Sequence, residues 1–174
     1  MNLLDMLSKR RSIRTYTGEP IPKELLDQVL QAGLLSETSR GKKPWEFIVV
    51  RNKETLTALS QCRQGSASML KNADCAIVVV GDETKTDVWT EDCSIAMAHM
   101  HLMADSLGLG SCWIQGRLRN APEEGTTEEV VQKLLGIPKQ YRLEAILSLG
   151  MISEHPVEHP IPEAECEKVH FEKF

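Results

Sequence analysis

From Thr90 to Leu107 the chain runs without a proline or glycine, and Ala96, Met97, Met100, Met103, Ala104 and Leu107 make that run apolar on more than one side. A helix of this kind needs cover on several faces, so it reads as central and mostly buried, with other elements built around it. Thr90, followed by Glu91 and Asp92, is a suitable N-cap, and G-L-G at residues 108–110 is a stop.

The flanking segments supply that cover. Asn2 caps a short helix that ends near Arg10, and Leu25, Leu26, Val29, Leu30 and Gly33 repeat on one face of a second helix that starts at Lys23. W-E-F-I-V-V-R after Pro44 and A-I-V-V-V at residues 76–80 are apolar, β-branched runs expected as core strands. Asn52 caps a helix through about Gln61, and a short helix-like piece covers residues 67–72. S-C-W-I ending at Gln115 and Gly116, and E-A-I-L-S-L-G closing at Gly150, give two further strands. Between them a helix starts at Thr126 or Thr127, points Val130, Val131, Leu134 and Leu135 inward, and ends at Gly136 and Pro138. This alternation predicts an α/β or α+β sheet layered with helices in one domain. The tail from Met151 has three prolines and scattered apolar residues; Val169, Phe171 and Phe174 favour an extended arm lying on another surface, such as a second subunit.

Composition narrows the function classes. The 174 residues suit one domain with a sizeable core, and a net charge of −5 offers no general attraction to nucleic acid or anionic lipid. Five widely spaced cysteines contain no C-x-x-C, which indicates neither a disulfide framework nor a zinc site and fits a reducing cytoplasm. The N-terminus has its cations after its apolar residues, the reverse of a secretory signal, and no apolar stretch approaches the roughly 20 residues of a membrane span.

Three segments can carry chemistry. R-R-S-I-R, Arg10 to Arg14, follows a helix and groups guanidiniums with a hydroxyl, a pattern matched to phosphate oxygens. In extended chain Ser12 and Arg14 share a side, joined by Arg10 if it has left the helix. On its own the segment reads at least as well as a solvated cationic helix end. Residues 36–50, S-E-T-S-R-G-K-K-P-W-E-F-I-V-V, form a polar loop running into a core strand, with Gly41 permitting close backbone approach. G-L-G-S-C-W-I-Q-G-R, residues 108–117, joins a buried helix to a strand end that presents backbone N–H groups, and lacks the G-x-G-x-x-G order of dinucleotide folds.

Together and in this order, the three segments resemble the FMN-dependent nitroreductase family over nearly the whole chain. The resemblance implies a three-layer sandwich with a mixed central sheet flanked by helices, residues 1–174 forming one FMN-binding domain and 151–174 an arm exchanged in a homodimer. It implies that Arg10, Arg11, Ser12 and Arg14 hold the FMN phosphate, ribityl chain and pyrimidine edge, with Arg117 a further helper. Thr38, Ser39, Arg40 and Gly41 would reach the flavin across the dimer interface. Ile114, Gln115 and Gly116 would lie along the ring with a backbone N–H near N5, and Ser66 falls roughly where relatives have a polar contact.

Three departures stand out: Gly41 where many relatives have Asn, Lys43 where they have Gln, and only His155 and His159 where they carry a basic pair. The implied activity is reduction of nitro compounds, quinones or similar acceptors by NADH or NADPH in a ping-pong order. An FMN-binding regulatory or storage module with little turnover is the alternative. His99 and His101 diverge on a helix and read as packing or surface residues rather than metal ligands, and no Ser, His and acid arrangement marks a hydrolase. That absence suits a flavoenzyme, in which the cofactor carries the electron transfer.

Overall fold

A computed structural model describes residues 2–160 and 167–174. In chain order the elements are α1 (Leu3–Lys9), α2 (Lys23–Leu34), β1 (Trp45–Val50), α3 (Lys53–Leu59), β2 (Cys75–Asp82), α4 (Trp89–Ser106), β3 (Leu109–Gln115), α5 (Thr127–Leu135) and β4 (Tyr141–Met151). The strands pair in the order β1-β2-β4-β3, and every pairing is antiparallel. The expected mixed sheet is corrected for the described residues. β2 and β3 do run in the same direction, joined through α4, but β4 is inserted between them, so the pair that would have been parallel shares no hydrogen bonds.

All eight residues of β2 are buried, because both faces of the sheet are covered. Cys75, Ile77 and Val79 join Ala145, Leu147 and Leu149 of β4 beneath α4 and α2; Ala76, Val78 and Val80 join Ile146, Cys112 and Ile114 beneath α3, α5 and the 3₁₀ turn Ser68–Asn72. The period-2 pattern of the strands therefore feeds two cores. Gly33 lets α2 cross α4 closely, since a Cβ there would stand 2.9 Å from the Met100 sulfur.

Asn2 caps α1 in a reciprocal capping box with Asp5, and Thr126 does the same for α5 with Glu129. Gly136, at φ 67°, ends α5 as expected. Other local expectations shift. Thr90 is not the cap of α4: the Thr86 hydroxyl accepts the Val88 N–H, and the helix begins at Trp89. Leu134 stays at the rim, 39% exposed. β4 begins at Tyr141, ahead of its apolar run, because Arg142 is held by Glu83 and Glu128.

Residues 155–159 lie against α1 and the end of α4 of the same chain, through Lys9–Glu158 at 3.5 Å, His155–Asp105 at 3.0 Å and the His159 N–H on the Ser8 carbonyl. Of the arm expected over 151–174, residues 161–166, with Cys166, fall outside the described residues.

Candidate functional site

After Lys9 the chain turns extended at Arg10 and crosses the end of the sheet. Ile13 is buried and its N–H donates to the Ser111 carbonyl of β3 at 2.8 Å, while the Thr17 N–H reaches the Met151 carbonyl at 2.9 Å. The Tyr16 hydroxyl bonds to Ser148 Oγ at 2.6 Å and donates to the Ile13 carbonyl at 2.9 Å, and its ring lies over Gly150. With Ile13 turned in, Ser12 and Arg14 are turned out together, and Arg14 Nη1 donates to the Ser12 carbonyl at a long 3.4 Å.

The three arginines have different partners. Arg10 Nη1 lies 2.9 Å from His101 Nε2, and His101 Nδ1 lies 2.6 Å from Ser111 Oγ. Arg11 donates its backbone N–H to Asp105 Oδ1 at 3.1 Å and its side chain to the Val157 carbonyl, so it faces the C-terminal stretch. Arg10 and Ser12 open onto a cleft of about 550 Å³ whose apolar wall is Leu3, Leu7, Leu102 and Trp113. His155 is committed to Asp105, which raises its pKa, rather than offered to an anion.

β3 is the sheet edge beside this cleft. Ser111 faces its carbonyl outward to Ile13, and the same parity turns the backbone N–H groups of Trp113 and Gln115 away from β4. The donors of Gly116 and Arg117, in contrast, are used internally, both on the Glu144 carbonyl at 3.0 and 2.9 Å. Ile114 is buried in the second core, and the Gln115 side chain is held by Trp113 Nε1 at 2.8 Å and by Glu144. Gly116 is required by packing, since a Cβ would meet Leu143 at 2.4 Å. Of the expected 114–116 contact, the structure therefore offers the Gln115 N–H.

The remaining expected residues stand apart in this single chain. Ser39–Gly41 form a 3₁₀ turn pinned by the Ser39 N–H on Asp92 Oδ1 at 2.8 Å, nine residues from His101 along α4, or about 13 Å. Thr38 Oγ1 accepts the Lys43 N–H, and Arg40 and Gly41 are exposed at φ 52° and 65°. Arg117 stacks on Trp89, 5.8 Å from the ring centroid. Ser66 follows the Gly65 turn ahead of the second core, near Arg63, whose Nε is buried without a partner. Among the described residues no group of acids, histidines and cysteines is arranged to hold a metal.

The model of the nitroreductase family matches residues 7–63 and 56–151. The chain belongs to the nitroreductase family. An FMN-dependent nitroreductase from Clostridium difficile R20291 shares 44% identity and a TM-score of 0.95, over 99% of this chain and 100% of that one. A Methanothermobacter thermautotrophicus protein whose name couples NADH dehydrogenase with NAD(P)H nitroreductase is 33% identical over all of this chain and 88% of its own. A Vibrio harveyi NADPH-flavin oxidoreductase is 27% identical over 91% of this chain and 68% of its own.

Sequence reasoning about this nitroreductase-family chain missed His101, Ser111, Asp105 and Tyr16 as the parts that hold the arginine segment. His101 was read only as a packing or surface residue, because its partners, Arg10 beyond the end of α1 and Ser111 of β3, are not on its own helix. Burial, with Arg10 adding its charge, lowers the His101 pKa to about 4. A neutral buried His binds no proton where the unfolded chain does, so stability falls as pH drops from 6.5 to 4, by on the order of 3 kcal/mol. His155, raised by Asp105, contributes in the opposite sense from a more exposed position. Urea unfolding at pH 6.5 and 4.5 is expected to show the net loss, and His101→Gln to flatten it.

Proposed function

We propose that this protein is an FMN-dependent oxidoreductase that takes reducing equivalents from NADH or NADPH and passes them to a nitro compound, quinone or similar small acceptor. The observation that carries it is the extended segment 10–14, which turns Ser12 and Arg14 outward beside Arg10, against a sheet edge with outward backbone N–H groups. Arg10 and Ser12 supply a charged and a neutral donor suited to a phosphate, and Arg14 with the Trp113 and Gln115 N–H groups suits the polar edge of a flat ring. The names of the relatives, several of which carry FMN, flavin or NAD(P)H, support the same cofactors.

Bound FMN would supply the hydride and electron transfer that no side chain here offers. The chain's own part is to bind and orient. Arg14 would hold the pyrimidine edge and offer its permanent positive charge to negative charge there, and Leu7, Leu102 and Trp113 would give the ring an apolar wall. Reductant and acceptor would occupy one place in turn, a ping-pong order.

The loop residues Thr38 to Gly41 lie away from the arginines of their own chain, which supports a homodimer in which they reach the partner's cofactor. The exposed Leu3, Leu4 and Leu7 and the exposed Phe171 and Phe174 supply apolar surface for such an interface. Buried free thiols at Cys62, Cys75, Cys93 and Cys112 fit a reducing cytoplasm, and no described helix is long and apolar enough to cross a membrane.

The freshly purified protein is expected to be yellow, to release one FMN per subunit on denaturation, and to run at twice 19.5 kDa by light scattering. It should oxidise NADH or NADPH with nitro or quinone acceptors faster than free FMN does. Bound FMN without turnover would favour a regulatory module, the alternative motivated by Gly41 and by His155 and His159 standing where relatives carry a basic pair. A colourless protein that retains no added FMN would sink the cofactor assignment.

A further inference from the structure

His101 sits on α4, 6% exposed, with both ring nitrogens engaged. A guanidinium can only donate, so the 2.9 Å contact with Arg10 Nη1 requires Nε2 to carry a lone pair. The proton is then on Nδ1, which donates to Ser111 Oγ at 2.6 Å, and the tautomer is fixed. Ser111 is itself 1% exposed, and its carbonyl takes the Ile13 N–H at 2.8 Å. One turn further along α4, Asp105 takes the Arg11 N–H. The arginine segment is thus hooked at residues 10, 11 and 13, and the imidazole is the hook that grips a side chain.

We propose that His101 is a positioning residue for anion binding: a buried neutral imidazole that holds Arg10 by one N–H so that its other donors face the phosphate of FMN. This rests on the FMN reading above. The choice of residue has a physical reason. An apolar side chain would leave Arg10 without a partner, and a carboxylate would cancel the positive charge that the phosphate needs. A neutral acceptor orients the guanidinium and leaves its charge intact.

The groups facing the ring are Arg10 from the end of α1, Asp105 from α4, and the Ser111 hydroxyl from β3, a strand with no charged residue; His99, which lines the same cleft, turns its ring nitrogens to Ser36 and Glu37. His155 reaches the same environment through Asp105. Protonation of His101 would set donor against donor and like charge against Arg10, so the grip is lost in acid.

FMN and riboflavin separate this role from a merely structural one, since they differ by the phosphate. Both are titrated into flavin-free wild type, His101→Phe and His101→Gln, with circular dichroism to confirm folding at each pH. Wild type should prefer FMN strongly. His101→Phe should lose about tenfold or more of that preference with riboflavin affinity unchanged. His101→Gln, whose amide oxygen can still accept from Arg10, should stay within about threefold of wild type. Between pH 6 and 4 the preference should fall further in wild type than in His101→Gln, the difference being the contribution of the imidazole.

Equal weakening of both flavins in His101→Phe, or an unchanged preference, would overturn the proposal and leave the cofactor reading standing. If His101→Phe is unfolded, the pH comparison with His101→Gln decides alone, and identical acid limbs overturn it. Wild type that binds neither flavin overturns the cofactor reading, and this proposal with it.

Discussion

The double variant Arg10→Ala/Arg14→Ala is expected to emerge colourless from gel filtration, with FMN affinity lower than wild type by about two to four powers of ten. Each charged hydrogen bond to the cofactor is worth about 1.5–3 kcal/mol, and the double variant would lose one at the phosphate with Arg10 and one at the ring edge with Arg14. The fold should tolerate the change. Ser12 and Arg14 are exposed, and the backbone of the segment is held independently by the Ile13 N–H on Ser111, by Tyr16 on Ser148 and by the Thr17 N–H on Met151. Loss of Arg10 also removes a charge that keeps His101 neutral, so its pKa should move up towards the ordinary imidazole value. Visible absorbance after gel filtration and a thermal melt check both halves. Retention of FMN at wild-type affinity would return the arginines to a solvated helix end.

Gly150→Ala should have the largest effect on stability of any small substitution near the site. A Cβ there would stand 2.5 Å from two atoms of the Tyr16 ring and 2.8 Å from its Cβ, close to the backbone where the ring cannot swing aside. Tyr16 is tied at its far end by the 2.6 Å bond to Ser148, so relief requires breaking that bond or moving the segment that carries Arg14. Overpacking of this kind costs about 3 kcal/mol, or roughly 6–12 °C in melting temperature for a chain of this size. FMN affinity should fall with it, because the displaced segment is the one that binds. Combining it with Tyr16→Ala should cost less than the two single changes added together, since the obstructing ring is gone. Additive losses would show that the two positions do not press on one another.

The core strands were legible because burial on both faces forces continuous apolar runs, as in Ala76 to Val80. The start of β4 was not legible: Tyr141 and Arg142 look like loop, and beside their pairing with Asp82 and Gly81 it is long-range partners, Gln132 on the Tyr141 carbonyl and Glu83 and Glu128 on Arg142, that hold them in the sheet. Strand direction was equally hidden, since the insertion of β4 between β2 and β3 is a matter of topology that no local pattern encodes. R-R-S-I-R declared itself as a cluster of cations, and the alternation of Ser12 and Arg14 about Ile13 followed from extended geometry. That Arg10 and Arg11 face different partners was not readable, because His101 and Asp105 approach from ninety residues away. One signal was available and unused. Gly110 and Gly150, glycines within strands, mark places where something packs closely, and here Ile152 and Ile13 fill the first and the Tyr16 ring the second.

The insertion of β4 also dictates an order of assembly. β2 and β3 lie on either side of it, so neither finds that neighbour until residues 141–151 have been synthesised, and the register that sets Ile77 against Leu147 closes a very long loop. The hairpin-like pair of β1 and β2 can form early on the ribosome, whereas β3, with the outward N–H groups proposed to meet the cofactor, waits beside an empty slot. The nascent chain thus carries its arginines from the outset but acquires the edge they work with only when its last described strand slides into the gap.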